Sequence, residues 1–210
     1  MERTTVNDAK IIFGENFIGK NELIPFLSKF TKEDIEIEEP KIPFSKSLLT
    51  KLSSNYILIL GIPSVKHTYI TIRNMRSEFG INPDNSEPCF YNQDWYLNEK
   101  FIDSPVLFGW HLIRKNVFEQ SRAMDPNLLI ETSVKFPSAV LCTYAFFSAW
   151  FAKNVKLWET DFIWTNDLDH NGDRIYVGKY TDVDGINKSG FSIHRHLALR
   201  PCYAAIDVVG

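Results

Sequence analysis

The sequence predicts an α+β protein, a single domain spanning 1–210, with helices mainly N-terminal and central and an antiparallel β-rich C-terminal part. Three observations lead there. Apolar residues recur at helical spacing in the first three-quarters, an almost unbroken apolar run fills 138–153, and short β-rich segments separated by polar loops follow Leu157. With 44% hydrophobic and 14% aromatic residues the chain can fill a sizeable core, and its composition is not that of a disordered protein.

In order along the chain, residues 10–13 read as a short strand. Asn21 then stands as an N-cap before Leu23, Phe26, Leu27 and Phe30, with Pro25 near the start of that helix. The acidic stretch 31–43 alternates Ile35 and Ile37 with charges and reads as an exposed connector or edge strand. Ser45 opens a short helix through Leu48, Leu49 and Leu52. NYILILG, ending at Gly61, has the content of a central buried strand. Thr71 caps a helix with Ile72, Met75 and Phe79 on one side, closed by Gly80. Residues 82–88 form a loop, 89–101 a helix capped by Asn92, and 106–118 a strand with Phe108, Trp110 and Leu112 on one face and His111 and Ile113 on the other. Residues 126–137 read as irregular and 138–153 as a buried helix. Strands are expected at 159–165, 174–180, 191–196 and 203–209. No repeat or linker divides the chain.

The 23 basic and 26 acidic residues give a net charge of −3, so the chain lacks the positive field that draws nucleic acid. Lys66, Arg73 and Arg76, or Arg114, Lys115 and Arg122, are the local basic groupings, and a solvated face accounts for either. Cys89, Cys142 and Cys202 are odd in number and form no CxxC pair, which argues against a disulfide framework and for structural thiols. No secretory signal is visible at the N-terminus, so the expected compartment is the reducing cytoplasm. The apolar run 136–152 carries hydroxyl groups and is too short to span a membrane. A P-loop, a dinucleotide-binding GxGxxG, a GxSxG elbow and HExxH are all absent.

Three constellations remain. NDLDHNGD alternates Asp167, Asp169 and Asn171 before Gly172 and Asp173, as at the opening of a calcium loop, but Gly178 stands where an EF-hand needs its bidentate Glu. The competing reading is a β-hairpin turned by Asn171-Gly172 with solvated aspartates. Asp182, Asp184 and Asn187 repeat the oxygen-rich theme. In FSIHRHL, strand alternation puts His194 and His196 on one face, where two imidazoles furnish ligands for zinc, manganese or iron, with Asp167, Asp169 or His111 as the third. Two polar strand residues without a metal, or a phosphate contact aided by Arg195 or Arg200, fit the same pattern. In YNQDWYLNEKF, Asp94 and Glu99 lie about 140° apart on a helix and do not pair. Tyr91, Trp95 and Tyr96 there suit either a stacking platform or the core.

Trp164-Thr165, Gly190-Phe191 and Leu199-Arg200-Pro201 resemble short stretches of C-type-lectin-like modules of the formylglycine-generating type. The matches cover little of the chain, and no residue role follows from them.

The functional expectation is a polar-ligand or divalent-metal site on the β-rich part, built from His194, His196, Asp167 and Asp169. With a metal bound, such a site would suit hydrolysis by activated water. The alternative is a non-catalytic binding or interaction module with a small polar ligand or a protein as partner.

Overall fold

Ser138 begins the element around which the chain is organised. Its hydroxyl accepts the Leu141 N–H, Asn154 closes the other end in the left-handed conformation, and all residues from Ala139 to Ala149 are buried between. A helix apolar on every side needs cover on every side, and the remaining elements supply it.

The computed structural model describes residues 4–181, 188–195 and 199–209. In chain order the elements are α1 (Val6–Phe13), β1 (Phe17–Ile18), α2 (Lys20–Leu27), α3 (Lys46–Leu52), β2 (Tyr56–Gly61), β3 (Ser64–Val65), β4 (Thr68–Tyr69), α4 (Ile72–Phe79), β5 (Gly109–Arg114), α5 (Pro126–Glu131), α6 (Ala139–Lys153), β6 (Phe162–Leu168), β7 (Arg174–Gly178), β8 (Ser192–His194), β9 (Tyr203–Ala204) and β10 (Val208–Val209). The fold is α+β, as the sequence predicts. One sheet has the order β1-β2-β5-β10 and the other β8-β7-β6-β9, with β3 and β4 as a separate hairpin. Both four-stranded sheets are antiparallel except for one short parallel edge each, β1 on β2 and β9 on β6. Helix α6 packs against α2 and α4 and against strands of both sheets.

Several local expectations hold. Ser45 caps α3 and Thr71 caps α4, each accepting a backbone N–H three residues on. Strand β2 is buried throughout and lies between β1 and β5. Others are corrected. Residues 10–13 belong to α1, because Thr5 and Asp8 form a reciprocal capping box that starts a helix upstream of them. Helix α2 starts at Lys20 rather than after Asn21, with the Gly19 N–H donated to Glu22. The expected helix over 89–101 is two 3₁₀ turns, Trp95–Asn98 and Lys100–Asp103, parted by an extended Glu99. Residues 126–131 are helical because Asp125 caps a turn that Pro126 opens. The last expected strand divides into β9 and β10, which join different sheets.

The ring of Phe147 stacks on Phe79 at 4.5 Å and on Phe90 at 4.9 Å, tying α6 to α4 and to the loop before Tyr91. Tyr144 spends its hydroxyl on the Leu60 carbonyl at 2.9 Å, tying the same helix to β2. In urea denaturation Phe147→Ala should therefore lose about 3–5 kcal/mol, and Tyr144→Phe about 1 kcal/mol. Losses below 1 kcal/mol for the first variant would contradict the central place given to α6.

Candidate functional site

Strand β6 begins as an ordinary ladder partner of β7, with Trp164 opposite Tyr176, and then loses register before Leu168 meets Arg174. Backbone groups freed by the irregularity turn toward α6. The Asn166 N–H reaches the Pro137 carbonyl at 2.9 Å, and the Asp167 carboxylate accepts the Ala139 N–H at 2.6 Å. Asp167 thus lies at the N-terminus of α6, where the helix dipole favours a negative charge. Burial pushes its carboxyl above the usual range, opposed by the Ala139 N–H and by Arg174.

The β6–β7 connection is a hairpin, closed by the Gly172 N–H on the Asp169 carbonyl, so that His170 and Asn171 occupy the centre of the turn. Gly172 follows at a φ of +89°, which a side chain would disfavour. Asp169 is not solvated. Its side chain is 0% exposed, with Oδ1 accepting the Asn171 and Asp173 N–H groups at 2.9 and 2.8 Å and Oδ2 accepting Arg195 at 2.9 Å. Burial works to raise its pKa, but the Asp173 N–H, Arg195 and the Asn171 N–H together hold it below the usual carboxylate range.

Glu99, separated from the hairpin by some seventy positions, completes the cluster. Its carboxylate accepts the His170 N–H at 3.0 Å and lies 2.6 Å from Nδ1 of the same residue. Arg195 stands 3.8 Å away, its guanidinium over the Trp95 ring at 4.7 Å. One ligand atom each from Glu99, Asp169 and His170 lies within 4.8 Å of the others. Neither Asp167 nor His194 joins a group of three such residues among the described ones.

His194 lies elsewhere on the same sheet. Its ring stacks on Tyr176 at 5.6 Å, meets Phe162 edge-on at 5.3 Å and has the Gln93 amide 2.9 Å from Nε2. His196, Asp182, Asp184 and Asn187 lie outside the described residues. His111 belongs to the other sheet and donates to the Leu107 carbonyl. Tyr96 is fully buried, and Trp95 donates to the Ile193 carbonyl. Arg73, Arg76, Arg122 and Lys66 each face a carboxylate. The three cysteines are free, with burial pushing Cys89 and Cys142 above the usual thiol range.

Beside the hairpin, between it and the start of α5, lies a cavity of about 150 Å³ lined by Trp164, Arg174, Arg195, Asn127, Gly172 and Asp173 among others. Sequence reasoning weighed Glu99 only against Asp94 and did not bring it to the hairpin, and it missed this cavity. The only sequence signal for Glu99 was an acidic residue amid aromatics, and nothing marked Arg174.

No family model, curated protein or solved structure matches the chain, so the short likeness to lectin-like modules gains no support. No helix among the described residues is long and apolar enough to cross a membrane.

Two neighbouring aspartates should respond oppositely to charge removal. Asp169 has a lowered native value, so its stabilisation is present above the unfolded value near 4 and is lost as pH falls through the native one. Asp167 has a raised native value, so ionising it opposes folding as pH rises through that window. At pH 7, Asp169→Asn should lower the melting temperature, with the gap closing in acid. Asp167→Asn, which keeps an acceptor for Ala139, should leave it equal or higher. A larger loss at pH 7 from Asp167→Asn than from Asp169→Asn would reverse this assignment.

Proposed function

We propose that the protein binds a small polar ligand at the hairpin end of the C-terminal sheet. The observation that carries this reading is a polar cavity whose wall is a loop held by buried charges. Asp169 gathers two loop N–H groups and Arg195, and Glu99 holds His170, so Gly172 and Asp173 meet the cavity in one arrangement. Preorganisation of this kind lowers the ordering cost of binding. At about 150 Å³ the cavity is far below the ~300–1,000 Å³ of drug-sized sites, which selects a ligand of few heavy atoms. The three unpaired thiols suit a reducing compartment such as the cytoplasm.

Trp164 gives a direct probe, since the chain has only five tryptophans and Trp164→Phe identifies its indole N–H resonance. In ¹⁵N spectra, at least one member of a panel of small carboxylates, inorganic phosphate, amides, polyols and amines should shift that resonance saturably. A panel without any effect on it would remove the reading.

A second reading, a divalent-cation site, is favoured by the convergence of Glu99, Asp169 and His170. Two carboxylates and an imidazole suit zinc, manganese or iron, and an open coordination position would permit hydrolysis by activated water. The sequence-derived set His194, His196, Asp167 and Asp169 is the alternative ligand group for that reading. Against it, Arg195 already supplies Asp169 with a positive charge at 2.9 Å, and a metal would have to displace it. Elemental analysis of the purified protein, with melts in zinc, manganese or calcium against chelator, decides the matter. Stoichiometric metal lost in Asp169→Asn supports the cation, and coincident melts with no metal dismiss it.

A further inference from the structure

Arg174 opens β7 and is partly buried, and although the charges of Asp125 and Asp167 reach it, no carboxylate lies within 4.0 Å of its guanidinium among the described residues. Its Nη1 donates to the Thr165 carbonyl at 2.9 Å, and the guanidinium lies 5.6 Å from the centre of the Phe136 ring. Its Nε is buried with no hydrogen-bond partner among the described residues. The arginines at 73, 76, 122 and 195 have carboxylate partners, whereas Arg114 and Arg200, like Arg174, have none within that distance among the described residues, and Nε of Arg76 is also buried without a partner there. Arg174 remains charged at any physiological pH, and a partly desolvated cation of this kind is stabilised by an anion.

The opposing strand contributes a second unmet donor. Trp164 is 1% exposed, and its indole Nε1 also has no partner among the described residues. A buried donor without an acceptor costs about 1–3 kcal/mol, and here two such donors belong to residues in the wall of one cavity. Asn127, at the start of α5, and Arg195, whose charge Asp169 already meets, also line that cavity. The larger groove of about 680 Å³ beside Phe44, Leu107, Phe108 and Trp110 has no unpartnered buried side-chain donor in its wall among the described residues.

We propose that this cavity is a binding site for the carboxylate group of a small molecule, with Arg174 as its principal cationic contact. The planar fork of a guanidinium matches a carboxylate through two parallel N–H···O bonds. Asp173 lines the same cavity and repels a dianion more than a monoanion, which favours carboxylate over phosphate. The same aspartate is a counter-charge for a ligand that also carries an ammonium group, so a small zwitterion fits at least as well as a plain acid.

This inference rests on the polar-ligand reading, and the experiment separates their failures. The full chain is titrated with acetate, glycine, inorganic phosphate and, as neutral controls, acetamide and glycerol, at constant ionic strength set by chloride. The Trp164 indole resonance and the melting temperature are followed. Acetate or glycine should give saturable shifts and a raised melting temperature, with glycine the stronger if Asp173 takes part. Arg174→Gln should weaken binding about tenfold or more, and Arg174→Lys, which keeps the charge without the fork, should weaken it less. A response to acetamide or glycerol but not to either carboxylate would overturn the carboxylate site and leave the polar-ligand reading standing. Silence from every probe would sink both. Phosphate binding more tightly than both carboxylates, or unchanged carboxylate affinity in a folded Arg174→Gln, would also overturn the proposal. Should Arg174→Gln fail to fold, the wild-type series and Arg174→Lys still decide it.

Discussion

The constraint on which the structure depends is the burial of α6. Its buried face is not a stripe but the whole circumference from Ala139 to Ala149, which no single sheet or helix can cover. Two four-stranded sheets and helices α2 and α4 surround it, and Phe146 and Phe147 carry the aromatic packing outward to Phe79, Phe90, Tyr180 and Phe191. Each fully buried side chain of this size contributes about 1.5–3 kcal/mol by leaving water, so the helix dominates any surface ion pair, worth at most about 1 kcal/mol. Two of the polar groups on α6 obey the same constraint. Thr143 returns its hydroxyl to the Ala139 carbonyl, and Tyr144 reaches Leu60 on β2.

That helix also sets the geometry of the C-terminal sheet's outer end. Its first N–H group, at Ala139, draws Asp167 out of line, and the Pro137 carbonyl draws Asn166 with it. The β6–β7 ladder breaks there and resumes at Leu168, so the hairpin beyond is positioned by the start of α6 as well as by its own strand pairing. Asp169 then turns inward to its own loop and to Arg195, while Asp167 is committed to the helix. Two carboxylates two residues apart acquire opposite pKa displacements because one meets three donors in a closed loop and the other meets one donor and more burial than it can offset.

Much of the fold was legible because local chemistry and tertiary demand agree. The apolar run of α6, the β-branched and leucine-rich β2, and α4 between Thr71 and Gly80 need no distant information. Where the sequence misled, the cause was long range or lay outside the window considered. The strand expected at 10–13 ignored the capping box five residues upstream. The strand expected at 203–209 could not reveal that Tyr203 pairs with Phe162 in one sheet and Val208 with Ile113 in the other. At the site, the Asn-Gly signal identified a hairpin, yet alternation of Asp with Asn implied exposure for Asp169, whereas Arg195 and the loop N–H groups bury it. Glu99 was illegible because nothing in its neighbourhood announces a hairpin some seventy positions away.

The two charged groupings at the hairpin end differ in how fully they are satisfied, and that difference decides which of them has chemistry left over. Glu99, Asp169, His170 and Arg195 form a network in which opposite charges already meet and the loop N–H groups find acceptors. Breaking such a network exposes an uncompensated buried charge, so it suits a structural role in holding the loop. Arg174 and Trp164 are the reverse case. Packing around Phe136, Tyr176 and Tyr203 holds their part of the sheet in place, but no acceptor among the described residues meets Nε of the one or Nε1 of the other. The rigid, satisfied cluster holds the loop away from the unsatisfied pair of donors beside it.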